Sequence, residues 1–184
     1  MVTGVRPQTG GFLRPFGTAW FIMEFLKGNG PEDSKRIDPD EGAPMTDIHF
    51  EYKSALHRAH ARDAAEREEA RRIRRGLPAF TEEEYDRALE YYLSRIPYKE
   101  LKMRYHSFVN YFGMLKRLEW VEQVKEEPSG PQEHDPKFQP RRYYRLTAQG
   151  KSAEMTAISN PVMTLYNYPR EIRSAKRYKY STKR

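Results

Sequence analysis

Apolar side chains recur at intervals of three and four through Tyr105, Phe108, Phe112, Leu115 and Leu118. That period is the apolar face of a helix over about 106–118. Asn110, Lys116 and Arg117 fall on the other side, with side chains able to reach bases and phosphates. Residues 120–126 are rich in β-formers and predict a strand. A loop with prolines at 128, 131, 136 and 140 follows. Residues 142–147 then alternate, with Tyr144 and Leu146 on one face and Tyr143 and Arg145 on the other, which predicts a second strand.

Upstream, residues 17–27 predict a short buried helix with Trp20, Phe21, Ile22, Phe25 and Leu26 inward, stopped by Gly28 and Gly30. Residues 1–16 are an irregular arm rich in Gly and Pro, and residues 29–44 read as an exposed, acidic, proline-containing linker. Residues 46–75 predict the longest helix, with a narrow stripe of Ile48, Tyr52, Ala55, Leu56 and Ala59. Beyond His60 this helix is almost all charge and alanine, with Glu66–Arg71 and Glu68–Arg72 near helical pairing distance. Such a segment buries little, so it projects from the body or packs as an antiparallel helix in a dimer. Its cluster Arg71, Arg72, Arg74 and Arg75 reads either as a phosphate contact or as a solvated face balanced by Glu66, Glu68 and Glu69. Gly76 and Pro78 break the helix, and Thr81 with Glu84 forms a capping box for the next one. That helix carries Tyr85, Leu89, Tyr92, Leu93 and Ile96 on one face and ends at Pro97. A last short helix is expected between Thr147 and Ile158. The domain boundaries read as an arm (1–16), a body (17–158) with an inserted linker and long helix (29–78), and an aromatic and basic C-terminal extension (159–184).

Composition narrows the function classes. Charged residues make up 32% of the 184 and mean hydropathy is −0.95, too polar for one compact core of the whole chain. Cysteine is absent, which excludes disulfides, thiol catalysis and cysteine-based zinc sites. The longest apolar run, 19–26, is interrupted by Glu24 and too short for a bilayer, so no membrane partner is expected. With no signal-peptide pattern, the chain reads as soluble and cytoplasmic, nucleoid-associated if prokaryotic. Net charge is +7, and residues 170–184 hold seven basic side chains against one acid, which leaves +1 for residues 1–169. The tail is therefore the electrostatic footprint for a polyanion.

His57 and His60, with Asp63 or Glu66 as a third ligand, have the spacing of a metal site, but a charged helix face often carries histidines without one, and that reading is preferred. Gly150-Lys151-Ser152 is not a phosphate loop, because that pattern needs glycine at the position of Arg145. No nucleophile or paired-carboxylate pattern stands out, so no catalysis, metal or cofactor is expected.

Helix, strand, long turn and strand are the order of a recognition helix and its wing. The run MLKRLEWVE at 114–122, with RRYYRLTAQGK at 141–151, resembles winged helix-turn-helix transcriptional regulators of the PadR and MarR kind. Those regulators commonly show LxxLGxVE and then YYRLTxxGK. The resemblance covers about a quarter of the chain, and its Tyr-Arg-Leu-Thr run is the most specific part. Glu119 stands where a glycine is usual. The resemblance implies a mainly α fold with a small β-wing, carrying here a long inserted charged helix and a basic tail. It further implies double-stranded DNA as partner, bound by a homodimer. The helix would present Ser107, Asn110, Tyr111, Lys116 and Arg117 to the groove, after a basic turn with Lys99, Lys102 and Arg104 over phosphates. Arg141 and Arg142 would touch backbone from the wing, and Arg173, Lys176, Arg177 and Lys179 from the tail. The alternative is a non-catalytic assembly subunit that uses the same fold to hold protein or RNA.

Overall fold

The computed structural model describes residues 16–30, 34–96, 105–127 and 140–167. Its elements run α1 (Thr18–Leu26), β1 (Ala43–Pro44), α2 (Met45–Arg74), α3 (Glu82–Arg95), α4 (Tyr105–Arg117), β2 (Val121–Glu127), β3 (Arg141–Leu146), α5 (Ala148–Lys151), α6 (Met155–Ser159) and α7 (Pro161–Tyr166). The fold is mainly helical with one small antiparallel sheet of strand order β1-β3-β2.

The core forms where the apolar faces of α1, the first half of α2 and α4 converge on the sheet. Phe21, Ile22, Phe25 and Leu26 of α1 are buried against Ile48, Tyr52 and Leu56 of α2 and Phe108, Phe112 and Leu115 of α4. Tyr144 and Leu146 of β3 close the bottom, as their alternation predicts, with Tyr144 edge-on to Phe112 at 4.9 Å. Tyr52 keeps its hydroxyl satisfied in this apolar setting by accepting a hydrogen bond from Thr18 at 3.0 Å. α6 packs on α1 and α7 on α4.

The stretch expected as an exposed linker is partly core. Ser34, Ala43 and Pro44 are buried, and Ala43–Pro44 adds a third strand that pairs Ala43 with Tyr144. Gly42 makes this approach feasible. Its φ is 71°, and a Cβ there would strike the Tyr144 carbonyl oxygen.

The charged half of α2 also buries more than its composition suggests. Ala61 and Ala65 are fully buried, and α3 returns antiparallel along this half, forming a hairpin. The expected Glu66–Arg71 and Glu68–Arg72 pairs give way to bonds between the helices. Glu68 accepts the Tyr92 hydroxyl at 2.8 Å, and Arg72 reaches Glu84 at 3.3 Å. A neighbouring helix offers better geometry than one's own turn. The capping box at α3 forms as read, with both Thr81–Glu84 bonds present.

The single helix expected over 147–158 is two short ones, α5 and α6, and a further short helix, α7, follows from Pro161. Thr147 caps the first by accepting the Gly150 amide at 3.0 Å.

Candidate nucleic-acid interface

α4 has one locked face and one open face. Phe108, Phe112 and Leu115 are in the core, so residues half a turn away must point outward. His106, Asn110 and Arg117 are exposed there and lie, with Gly113, at steps of four, three and four along one stripe. A Cβ on Gly113 would meet nothing within 4 Å. Glycine inside a helix costs about 1 kcal/mol relative to alanine, and no internal contact demands it here. Its effect is a low point in the middle of a polar stripe.

The other helix candidates sit differently. Lys116 follows Leu115 directly and leans over the Tyr144 ring at 5.1 Å. Tyr111 precedes Phe112 and packs, half-buried, against the core. Ser107 is half-buried on the flank. Reading by chemistry alone passes over His106, one turn before Asn110, and Gly113, between Asn110 and Arg117, which the helical spacing places on the same stripe.

The junction after α4 explains the motif. Glu119 has φ 60°. Its amide donates to the Lys116 carbonyl at 3.1 Å, and the Trp120 amide donates to the Leu115 carbonyl at 3.0 Å. That double bond pattern is the helix terminator that ordinarily uses glycine at its left-handed position. The Thr147 hydroxyl donates to the Glu119 carbonyl at 2.6 Å, and the Thr147 amide donates to the Trp120 carbonyl at 3.0 Å. Gly150 lies against the same Trp120 carbonyl so closely that a Cβ would collide with its oxygen. The threonine and glycine of the LTAQGK run therefore clamp the end of β3 to the exit of α4.

β2 and β3 use their charges internally. β2 and β3 pair Glu126 with Arg142 and Glu122 with Arg145, and the side chains bond at 3.0 and 2.9 Å. Arg141 pairs with Asp47 of α2 at 3.0 Å. Lys125 bonds Glu127 at 2.9 Å and lies 4.2 Å from the Tyr143 ring centre. Tyr143 donates to Glu127 at 2.6 Å. That bond first, and Lys125 second, hold the Glu127 carboxyl below its usual range. The same bond raises the Tyr143 phenol. A bulge at Val124 interrupts the register between Gln123 and Lys125. Each exposed ion pair is worth roughly 0–1 kcal/mol, so a phosphate can exchange for the carboxylate.

Lys99, Lys102, Arg104, Arg173, Lys176, Arg177 and Lys179 lie outside the described residues. His57 donates through Nε2 to the Leu93 carbonyl at 2.8 Å, which ties α2 to α3. Among the described residues no group of three His, Asp or Glu is arranged to hold a metal ion, and no helix is long and apolar enough to cross a membrane. Comparison with protein-family models, curated proteins and solved structures gave no match.

Proposed function

We propose that the chain is a winged helix-turn-helix protein that binds double-stranded DNA sequence-specifically, in a role of transcriptional regulation. The observation that carries this reading is the outward stripe of α4. His106, Asn110 and Arg117 offer hydrogen-bonding side chains to base edges, and Gly113 between them lets a groove wall come close. The opposite face is fixed in the core, so the stripe is presented rigidly. The strand order β1-β3-β2, with α4 leading directly into β2, supports the reading because it sets two antiparallel strands directly after that helix. So does the sequence resemblance, whose Glu119, Thr147 and Gly150 all act at one joint.

In this mechanism Asn110 and Arg117 read bases, each contact contributing about 1–3 kcal/mol of discrimination. Arg141 and Arg142 trade their carboxylate partners for phosphates. The basic tail adds affinity without selectivity.

A second reading, an assembly subunit binding protein or RNA, is favoured by one observation: Lys125, Arg141, Arg142 and Arg145 are all already paired with acids. One experiment separates the two. Full-length protein is selected against a random duplex pool at moderate salt, and the enriched sequence is titrated with N110A, R117A and G113L. The DNA reading expects an enriched motif. It expects losses of about 5- to 100-fold for the first two variants and abolished binding for the third, with melting temperatures preserved. An unenriched pool, or single-stranded RNA competing equally, overturns it in favour of the assembly reading.

A further inference from the structure

The end of the described chain breaks the charge pattern of the rest. Residues 155–169 hold no charged side chain, the longest such run in a chain of which 32% is charged. The described part of that run forms α6 and α7. On α7, Pro161 is buried and Leu165 packs half-buried on the core. Val162, Met163 and Tyr166 share the opposite arc, 162 and 166 being one turn apart. All three are exposed, Met163 by 54% and Tyr166 by 65%, and Met155 of α6 is exposed too. Thr164 donates to the Ala157 carbonyl at 3.2 Å, and Asn160 accepts the Met163 amide at 3.2 Å, so the two helices hold this surface in shape.

Exposed apolar residues scattered singly are ordinary, but grouped ones mark a contact. Methionine and tyrosine with charge left out is the composition at the centre of a protein interface. None of the four side chains belongs to the core or packs against it, so the fold of one chain gives them no role.

We propose that α6 and α7 form a two-fold surface through which the chain pairs with a second copy. Charge selects that occupant. A two-fold axis sets each residue near it opposite its own copy, so a charged residue there would face its like. Each copy carries +7, and this is the stretch where self-contact opposes no charge to itself. A polyanion or a charged partner would find no ion to pair with on it. The long helix α2, expected to pair across a dimer, is instead covered along its charged half by α3 of its own chain. The two helices supply 5 and 6 residues, against roughly 20–30 a side in a standard interface, so the pairing is weak and depends on concentration. The basic run starts at Arg170, so two tails of +6 begin beside the contact and oppose it. Salt screens that repulsion and leaves the apolar contact, so pairing strengthens with salt. Because α7 packs on α4, a pair joined here would hold its two α4 stripes at one separation. The pairing does not rest on the DNA reading, since it is measured on protein alone.

The test is sedimentation of the nuclease-treated full chain across a concentration series, at about 0.1 M and about 1 M salt, where the screening length falls from roughly 10 to 3 Å. The weight-average mass should rise from the 21.8 kDa monomer to a plateau at twice that value, at lower protein concentration in high salt. M163E/Y166E should stay monomeric with unchanged circular dichroism and melting. I73E, which alters an exposed apolar residue of α2, should pair like the parent. The chain has no cysteine, so M163C and I73C each carry a single thiol. A short bismaleimide should link M163C into a covalent dimer and leave I73C as monomer. A monomer under all conditions, growth beyond the dimer, or a dimer that dissolves in high salt would each overturn the proposal. So would M163E/Y166E pairing like the parent, I73E losing the dimer, or equal linking of the two cysteine variants.

Discussion

Glu119 occupies the one non-glycine position of positive φ among the described residues, and replacing it should stabilise the protein. The left-handed conformation costs an L-residue about 1–2 kcal/mol. Glycine removes that strain but returns about 0.4–1 kcal/mol through the greater freedom of the unfolded chain. The net gain for the backbone is about 0.5–1 kcal/mol. A second contribution comes from charge. A carboxylate just past the end of α4 meets the negative end of the helix dipole, an interaction worth roughly 0.3–1 kcal/mol. E119A removes the charge and the side-chain contacts but keeps the Cβ, and E119G removes all three. Comparing the two isolates the backbone term. For a chain of this size 1 kcal/mol moves the melting temperature by about 2–4 °C. Thermal and urea unfolding followed by circular dichroism should therefore rank E119G above E119A by about 1–4 °C, with both at or above the parent. The hydrogen bond from Thr147 is to the backbone carbonyl and survives in every variant. If E119A equals or exceeds E119G, the residue does not bear left-handed strain and the account of this joint fails.

Two other perturbations probe the same region. G150A should lower the urea midpoint by an amount equivalent to about 1–3 kcal/mol, because its Cβ meets the Trp120 carbonyl, which two neighbouring elements hold in place; an unchanged midpoint would refute that. Glu127 predicts a pH effect. Its carboxyl is depressed by Tyr143 and Lys125, so its stabilisation is present above the ordinary carboxylate range and is lost as pH falls through the folded-state value. E127Q should thus lessen the acid sensitivity of unfolding. It should also let Tyr143 ionise earlier in an alkaline phenolate titration, and an unshifted titration would count against the bond.

Periodicity was a reliable guide wherever one element buries one face against a large core. Phe108, Phe112, Leu115 and Leu118, and the alternation of Tyr144 and Leu146, lie buried as spaced, whereas Tyr105 at the start of the same stripe is 43% exposed. Local hydrogen bonding was legible too, at Thr81 and Thr147, because a cap depends on residues three apart. What depends on distant partners was not. β1 is two residues long within an acidic, proline-containing stretch, and only the edge of β3 gives it form. Ala61 and Ala65 look solvated among their charged neighbours until α3 covers them. In the candidate site, Lys116 and Tyr111 have the chemistry of groove contacts, but each adjoins a core position and is turned toward it. Angle along the helix sorts the outward-facing residues, and it places His106 and Gly113 beside Asn110 and Arg117.

Charge placement then decides how affinity and selectivity divide. The cations of β2 and β3 are matched by carboxylates. Residues 1–169 together carry only +1, so little of the long-range attraction to a polyanion can arise there. Under the DNA reading the tail, with +6 over residues 170–184, would supply it and set the salt dependence, about 0.9 in log–log slope for each phosphate it neutralises. Under the DNA reading, selectivity has a different origin, in a stripe with one arginine and one asparagine, whose contacts are short and weakly screened. Removing the tail should therefore flatten the salt slope while leaving the preferred sequence unchanged. Changing Arg117 should alter the preference and shift the slope by no more than about one phosphate's worth. A tail truncation that erased sequence preference would mean that α4 reads nothing by itself, and the stripe would then be better understood as a docking face for a protein.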